Sequence, residues 1–291
     1  MKKKIIKKKI SKIDNVKFSV LMSVYYKEQP DFLDLSLDSV IDKQTLKPTE
    51  VVIVKDGELT DELEKVLNKY KKNYPDIIKF VPLKENCGLG IALQKGLKEC
   101  SYDYVMRMDT DDVACPNRFE KQIEYMEKHP DVSIIGGTIG EFNDSPDEEL
   151  RIKTMPLTYN EVFEYSKFRN PLNHMTVCFR KKDVLDVGNY QPLLYLEDQY
   201  LWSRMLVAGK KMENIPDLLV KVRIGNGFYE RRGSKNYVKG WKALQKYLYE
   251  NKHINFFQKS RNILGMHVLV YSPKFVRKIL YNKVLRKDIK K

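Results

Sequence analysis

Short apolar runs that alternate with helix-like segments are the feature of this sequence that most limits its possible folds. Residues 18–25 are almost continuously apolar, which is typical of a strand buried on both faces of a sheet. Residues 32–41 then repeat apolar side chains at helical spacing. The predicted strands are residues 18–25, 50–55, 77–81 and 103–108, and the helices between them begin near Pro30, Thr60 and Ile91. This order predicts an α/β fold with a mostly parallel central sheet flanked by helices.

The second half of the chain follows a less regular pattern. Its predicted strands are residues 132–137, 175–180 and 218–224, and its predicted helices are residues 117–129 and 197–208. From Ser234 onward the pattern is helical and increasingly basic. We therefore expect a basic leader (1–17), an α/β domain with two halves (18–115 and 116–233) and a basic helical C-terminal region (234–291).

The net charge of +14 is concentrated at the two ends of the 291-residue chain. Residues 1–17 carry a net +7 and residues 252–291 a net +10, whereas the remainder carries −3. Binding of nucleic acid by the folded body would need a basic face with interleaved aromatic side chains. Because the body is slightly acidic, we expect no nucleic-acid partner.

The basic C-terminal region also contains many apolar side chains. They are Phe256, Phe257, Ile263, Leu264, Val268, Leu269, Phe275, Val276, Ile279 and Leu280. This mixture suits a segment that lies on an anionic membrane surface, and a basic hairpin docked on the α/β domain is the alternative. The chain has no secretory signal, no run of the ~20 apolar residues that span a bilayer, and no cysteine spacing typical of disulfides or zinc. We expect a cytoplasmic protein attached peripherally to the inner face of the cytoplasmic membrane.

Three aspartates directly follow the fourth predicted strand. Asp109, Asp111 and Asp112 stand at its C-terminal end, where open α/β sheets bind ligands. Carboxylates this close repel one another strongly unless a cation lies among them. Mg²⁺ and Mn²⁺ prefer such oxygen ligands. The pattern predicts a divalent-metal site, with a solvated acidic loop before the next helix as the alternative.

Polar residues also follow the first two strands. Ser23 and Tyr25 end the first strand and Asp56 follows the second, so all three should reach the sheet edge of the aspartates. Asp56 precedes Gly57, and a turn-forming acid is the alternative role for it. The sequence contains neither a P-loop nor a dinucleotide-binding glycine motif, so a nucleotide would be held by acids and metal.

Three segments in fixed order resemble family 2 glycosyltransferases with the GT-A fold. They are Ser-Val-Leu-Met-Ser-Val-Tyr-Tyr (19–26), Asp109-Thr-Asp-Asp112 and Glu197-Asp198-Gln-Tyr-Leu-Trp-Ser-Arg204. The resemblance covers residues 18–230 and is strongest to bacterial enzymes of capsule, exopolysaccharide or O-antigen synthesis. It implies a nucleotide-binding half (18–115) and an acceptor-binding half (116–233). The implied reaction is inverting transfer of one sugar from a nucleoside diphosphate sugar, usually a UDP-sugar, to a hydroxyl of a lipid-linked saccharide.

The same resemblance assigns roles to the residues at the strand ends. The implied nucleotide contacts are Ser23, Tyr25, Asp56 and Asp109, and the implied ligands of Mn²⁺ or Mg²⁺ are Asp109, Asp111 and Asp112. Lys55 stands where the family usually has an acid, which leaves the preferred nucleotide open.

Asp198 is the implied catalytic base. Inverting transfer needs a base on the acceptor side of the sugar, and a carboxylate near a helix N-terminus is stabilised in its ionised form. A simple helix-terminal acid is the alternative. Glu197 is implied to lie near the donor sugar and the acceptor. Trp202-Ser-Arg204 differs from the Q-x-x-R-W motif of processive relatives, which favours addition of a single sugar.

A histidine and two arginines complete the implied site. His174 follows a segment that resembles a loop near the donor sugar, although a single histidine is more often structural. Residues 223–225 lack the metal-binding histidine that many relatives have. Arg231 and Arg232 would instead close over the diphosphate, because arginines stabilise leaving phosphates. A solvated basic loop is the alternative for this pair.

A sugar-1-phosphate nucleotidyltransferase, which has a related fold, is the alternative enzyme class. Such enzymes carry a glycine-rich, arginine-containing loop after the first strand, and residues 23–28 contain neither residue type. We therefore expect a metal-dependent glycosyltransferase. Its expected partners are a nucleoside diphosphate sugar, a saccharide acceptor and an anionic membrane surface.

Overall fold

A computed structural model describes residues 13, 15–193, 195–224 and 235–272. The described strands are β1 (Phe18–Val24), β2 (Glu50–Lys55), β3 (Ile78–Pro82), β4 (Tyr104–Arg107), β5 (Val113–Ala114), β6 (Val132–Phe142), β7 (Arg151–Lys153), β8 (Cys178–Arg180) and β9 (Lys211–Arg223). The described helices are α1 (Pro30–Ile41), α2 (Asp61–Asn73), α3 (Leu89–Glu99), α4 (Arg118–Lys128), α5 (Tyr159–Ser166), α6 (Lys181–Asp186), α7 (Glu197–Val207), α8 (Lys235–Glu250) and α9 (Phe256–Tyr271). A 3₁₀ turn at His174–Thr176 precedes β8.

One sheet joins these strands in the order β3-β2-β1-β4-β8-β6-β9-β5, and β7 pairs with β6. The first four strands are parallel, as predicted for this half of the chain. β8 runs antiparallel to both of its neighbours, β4 and β6, so the second half of the sheet is mixed. The parallel pairing brings the C-terminal ends of β1, β2 and β4 to one edge of the sheet.

Both faces of the parallel half are covered by helices, as continuous apolar strand sequences require. Val20 and Met22 of β1 pack in one core cluster with side chains of α1, α2 and α4. Leu21 between them packs in a second cluster with side chains of α3 and α7. Gly96 allows α3 to approach the sheet closely, because a Cβ atom there would lie 2.5 Å from a methyl group of Val54.

Several elements of the second half differ from the sequence-based expectations. β6 and β9 are longer than predicted and pair in parallel along residues 132–142 and 211–223. The predicted strand at 175–180 begins only at Cys178, because the residues before it include the 3₁₀ turn. The elements β5, β7, α5 and α6 were not predicted, since they are too short to show a clear periodicity.

The C-terminal helices form a hairpin, and α8 docks on the α/β domain. Trp241, Leu244 and Leu248 of α8 are buried in a cluster with Leu196. The indole nitrogen of Trp241 donates to the Asn262 carbonyl oxygen at 3.1 Å, which joins α8 to α9. Among the described helices, none combines the length and hydropathy needed to cross a bilayer. Most of the basic leader and residues 273–291, with Phe275, Val276, Ile279 and Leu280, lie outside the described residues.

Candidate active site

The three aspartates after β4 form an acidic cluster. Carboxylate oxygens of Asp109, Asp111 and Asp112 all lie within 4.8 Å of one another. Burial, followed by repulsion from Asp109 and Glu28, raises the pKa of Asp111 to about 7. Burial and the same kind of repulsion raise the pKa of Asp112 well above its usual range. Clustered hard oxygens with uncompensated negative charge fit a divalent cation such as Mg²⁺ or Mn²⁺.

Two arginines hold the acidic cluster in place. The buried guanidinium of Arg107 binds both carboxylate oxygens of Asp109. At the other end, the backbone N–H of Arg223 donates to a carboxylate oxygen of Asp112 at 2.9 Å. The Arg223 guanidinium stacks on the Phe32 ring, 3.8 Å from its centre, which fixes its position beside the cluster. Neither arginine was predicted as a site residue, although an arginine inside an apolar strand is a usable signal because lone buried charges are rare.

A fourth carboxylate, that of Glu28, lies beside the cluster. The Thr110 hydroxyl donates to it at 2.6 Å, which joins the loop after β1 to the loop after β4. Burial raises the pKa of Glu28, and its charge in turn helps to raise the pKa of Asp111. The sequence analysis missed Glu28, because only its contact with Thr110 distinguishes it from other loop acids.

The ends of β1 and β2 bring the predicted nucleotide contacts together. The Asp56 N–H donates to the Val24 carbonyl oxygen at 2.8 Å, which places Asp56 next to Ser23 and Tyr25. The buried Asp56 carboxylate accepts backbone hydrogen bonds from Cys87 and Gly88, at 2.8 and 3.0 Å. Asp56 therefore ties β2 to the turn before α3. Its contact with a base remains a prediction.

Ser23 is half-buried and Tyr25 is exposed, with its ring centre 5.8 Å from that of Tyr26 in an edge contact. Both stay predicted nucleotide contacts at the same sheet edge as Asp56.

Glu197 and Asp198 form the first turn of α7. One Asp198 carboxylate oxygen accepts a hydrogen bond from the Asn170 side chain at 2.6 Å, and the other accepts one from the Gln199 N–H at 2.7 Å. Burial, together with repulsion from Asp198, raises the pKa of Glu197 to about 7, and the charge of Arg107 opposes this rise. The two neighbouring acids thus occupy different environments, and Asn170 orients only Asp198.

A buried histidine near Arg107 contacts two aromatic side chains. The His174 Nε2 atom lies 3.0 Å from the Tyr190 hydroxyl oxygen, and its ring packs edge-on against Trp202 with centres 5.8 Å apart. Burial, with a smaller effect of the Arg107 charge, lowers the pKa of His174 well below its usual range, so the ring is neutral. His174 is buried beside Tyr190, and its contact with a sugar remains a prediction. Arg231 and Arg232 lie outside the described residues.

The structure thus contains an acidic cluster suited to a divalent metal at the sheet edge, and an oriented carboxylate in the first turn of α7. Residues 19–186 match the family described as Glycosyl transferase family 2. The chain belongs to this family. The nucleotidyltransferase alternative is therefore set aside, and the family resemblance of the three sequence segments is confirmed.

This family 2 glycosyltransferase is similar to other bacterial glycosyltransferases over nearly its whole length. It is 40% identical to the amylovoran biosynthesis glycosyltransferase AmsE of Erwinia amylovora, over 91% of this chain and 98% of that protein. It is 36% identical to the UDP-Gal:alpha-D-GlcNAc-diphosphoundecaprenol beta-1,3-galactosyltransferase of Escherichia coli, over 94% of this chain and 98% of that protein.

Solved structures show that the fold is shared with more distant enzymes. TarS of S. aureus (residues 1–349) in complex with UDP-GlcNAc matches 93% of this chain and 76% of its own, with a TM-score of 0.66 and 17% identity. The mannosyltransferase PcManGT of Pyrobaculum calidifontis, in complex with GDP-Man and Mn²⁺, matches 94% of this chain and 81% of its own, with a TM-score of 0.61 and 14% identity. The predicted GT-A fold is thus confirmed.

Proposed function

We propose that this family 2 glycosyltransferase transfers one sugar, with inversion, from a UDP-sugar to a hydroxyl of a lipid-linked saccharide in the synthesis of a bacterial surface polysaccharide. The observation that carries this proposal is that Arg107 binds Asp109 of the acidic cluster and also acts electrostatically on Glu197, the neighbour of Asp198. The acidic cluster then suits a diphosphate with its metal, and Asp198 suits the nucleophilic hydroxyl of the acceptor. The named activities of the relatives agree with it: one uses UDP-Gal and an acceptor linked to diphosphoundecaprenol.

The acidic cluster would hold the donor. Asp109, Asp111 and Asp112 would bind Mn²⁺ or Mg²⁺, which would neutralise the charge that develops on the departing diphosphate. Ser23, Tyr25 and Asp56 would contact the nucleoside at the adjacent strand ends. Arg107 keeps Asp109 oriented, because its guanidinium binds both oxygens of that carboxylate.

Asp198 would act as the base for the acceptor. Its carboxylate takes the proton of the acceptor hydroxyl while that oxygen forms the new bond to the anomeric carbon. The bond from the anomeric carbon to the diphosphate breaks on the opposite face, and UDP carries the electron pair away. Asn170 orients the carboxylate by its hydrogen bond at 2.6 Å. Glu197, whose pKa is raised to about 7, is the alternative candidate for the base, and the Asp198→Asn variant distinguishes the two.

We also propose that α9 lies on the inner face of the cytoplasmic membrane, beside lipid-linked acceptors. Phe257, Leu264, Val268 and Tyr271 are exposed on this helix, and the Phe257 side chain is 80% exposed. The flanking sequence is strongly basic, so the apolar face and the charges suit an anionic leaflet. Vesicles with anionic lipid should pellet the protein in low salt, and Phe257→Ser with Leu264→Ser should reduce this. Equal pelleting by neutral vesicles would contradict the proposal.

Transfer assays test the function directly. The protein is incubated with a panel of UDP-sugars and a synthetic GlcNAc-diphosphate-lipid acceptor, with Mn²⁺ or with EDTA. We expect acceptor-dependent release of UDP that requires metal and is lost in both Asp111→Ala and Asp198→Asn. Asp198→Asn should still bind UDP with Mn²⁺, whereas Asp111→Ala should not. Metal-independent transfer, or transfer that survives in Asp111→Ala, would refute the assignment of the acidic cluster.

A further inference from the structure

An open groove of about 540 Å³ lies between α3, residues 188–193, α7 and α8. Its principal lining side chains are Gln94, Gln191, Pro192, Leu193, Tyr200 and Tyr247. The groove thus joins the α/β domain to the C-terminal hairpin, and the predicted site residues are not among its lining.

The groove begins one helical turn away from Glu197, the neighbour of the proposed base. Gly90 and Gln94 are neighbours on one face of α3, and Glu197 and Tyr200 are neighbours on one face of α7. The two helices approach at Gly90, where an added Cβ would lie 3.3 Å from the Glu197 Cβ and 3.6 Å from the Pro192 Cα. The groove therefore starts beside Glu197, which directly precedes the proposed base Asp198 in α7.

The lining has the chemistry of a site for a neutral sugar. The rings of Tyr200 and Tyr247 line the groove and meet edge-on, with centres 5.3 Å apart and planes at 90°, and such aromatic surface suits the C–H face of a pyranose. The Gln94 and Gln191 carboxamides can donate to and accept from hydroxyl groups. The Gln94 amide is oriented, because its nitrogen donates to the Tyr190 carbonyl oxygen at 2.7 Å.

The charge of the groove argues against a phosphate. None of the described residues that line it is acidic or basic, and phosphate recognition in proteins relies on arginine, lysine or a metal. The nearby Arg204 guanidinium stacks on the Tyr200 ring, 4.8 Å from its centre, and donates to the carbonyl oxygens of Val187 and Asn189. Both terminal nitrogens of this guanidinium are thus engaged with the backbone.

We propose that this groove binds a neutral sugar unit of the acceptor, adjacent to the unit whose hydroxyl reacts. The proposal rests on the proposed function, and it makes a growing oligosaccharide a better acceptor than a single sugar. The Tyr247 ring would contact the additional sugar, which a single-sugar acceptor lacks.

Kinetics with two acceptors test this selectivity. For the wild type, a diphosphate-lipid that carries two neutral sugars should have a KM about tenfold lower than one that carries a single sugar, a difference that corresponds to one ordinary apolar contact. Tyr247→Ala and Gln191→Ala should remove most of this difference and leave the KM for the UDP-sugar unchanged. Tyr247→Phe should keep it, and Tyr249→Ala, an exposed tyrosine of the same helix outside the groove, is the matched control. Equal KM values for the two acceptors in the wild type would overturn the proposal.

Direct binding separates a failure of this proposal from a failure of the proposed function. Saturation-transfer NMR with N,N′-diacetylchitobiose and lactose should show contacts with the wild type that are lost in Tyr247→Ala. Binding without transfer to any acceptor would support the groove and refute the glycosyl-transfer scheme. Transfer without binding, or binding that is unchanged in Tyr247→Ala, would refute the groove alone.

Discussion

Replacing Asp111 by asparagine should stabilise the metal-free protein above neutral pH and remove its stabilisation by Mn²⁺ with UDP. The pKa of Asp111 is raised to about 7, first by burial and then by repulsion from Asp109 and Glu28. In the unfolded chain the same group titrates near 3.9. The folded state therefore holds the proton more tightly, and the free energy of unfolding falls as pH rises from about 4 to about 7 and then levels.

The difference between the pKa of Asp111 in the folded and unfolded protein sets the size of the gain in stability. About three pKa units correspond to roughly 4 kcal/mol, which is an upper limit for the gain in Asp111→Asn at pH 8. Asp112 keeps a raised pKa of its own because it is buried and still faces Asp109. We therefore expect a gain of about 2 kcal/mol, since only part of the repulsion in the cluster is removed.

Urea unfolding in EDTA at pH 5, 6, 7 and 8 measures this gain. Wild type should lose stability across the series, and Asp111→Asn should lose less. The control is Asp76→Asn, which removes an exposed acid far from the cluster in sequence. With Mn²⁺ and UDP, wild type should become more stable as pH rises through 7, whereas Asp111→Asn should not respond. If the free energy of unfolding in EDTA depends on pH equally in the variant and in wild type, the reasoning is refuted.

Three further substitutions probe other parts of the site. Asp198→Asn should lower turnover by ~10²–10⁴ with an unchanged melting temperature; turnover within a few-fold of wild type would exclude Asp198 as the base. Gly57→Ala should cost roughly 2 kcal/mol in urea unfolding, because Gly57 has φ +87° and a Cβ there would lie 2.7 Å from the Asn86 nitrogen; an unchanged midpoint would contradict this. Arg107→Met should weaken Mn²⁺ binding and cost about 3 kcal/mol; an equal loss of Mn²⁺ affinity in Arg118→Met, another buried arginine, would show a general packing effect.

The presence and parallel direction of the first four strands, and the position of the acid cluster, could be predicted from sequence. The apolar runs of β1 and β2 and the acids that follow them are local patterns, readable within about ten residues. Parallel strands share a direction, so the residues at their C-terminal ends had to meet at one edge. Ser23, Asp56 and Asp109 were found in this way.

The tertiary structure alone determined the rest, because it depends on contacts between residues far apart in the chain. The mixed half of the sheet arises because β8 pairs antiparallel with β6 and with β4, which lies about seventy residues earlier in the chain. Glu28 joins the site through Thr110, and Asn170 orients Asp198. No local periodicity encodes such contacts, since each is selected by the packing of the whole domain. The sequence therefore determined which acids lie at the sheet edge. The tertiary structure determined which groups orient these acids and shift their pKa values.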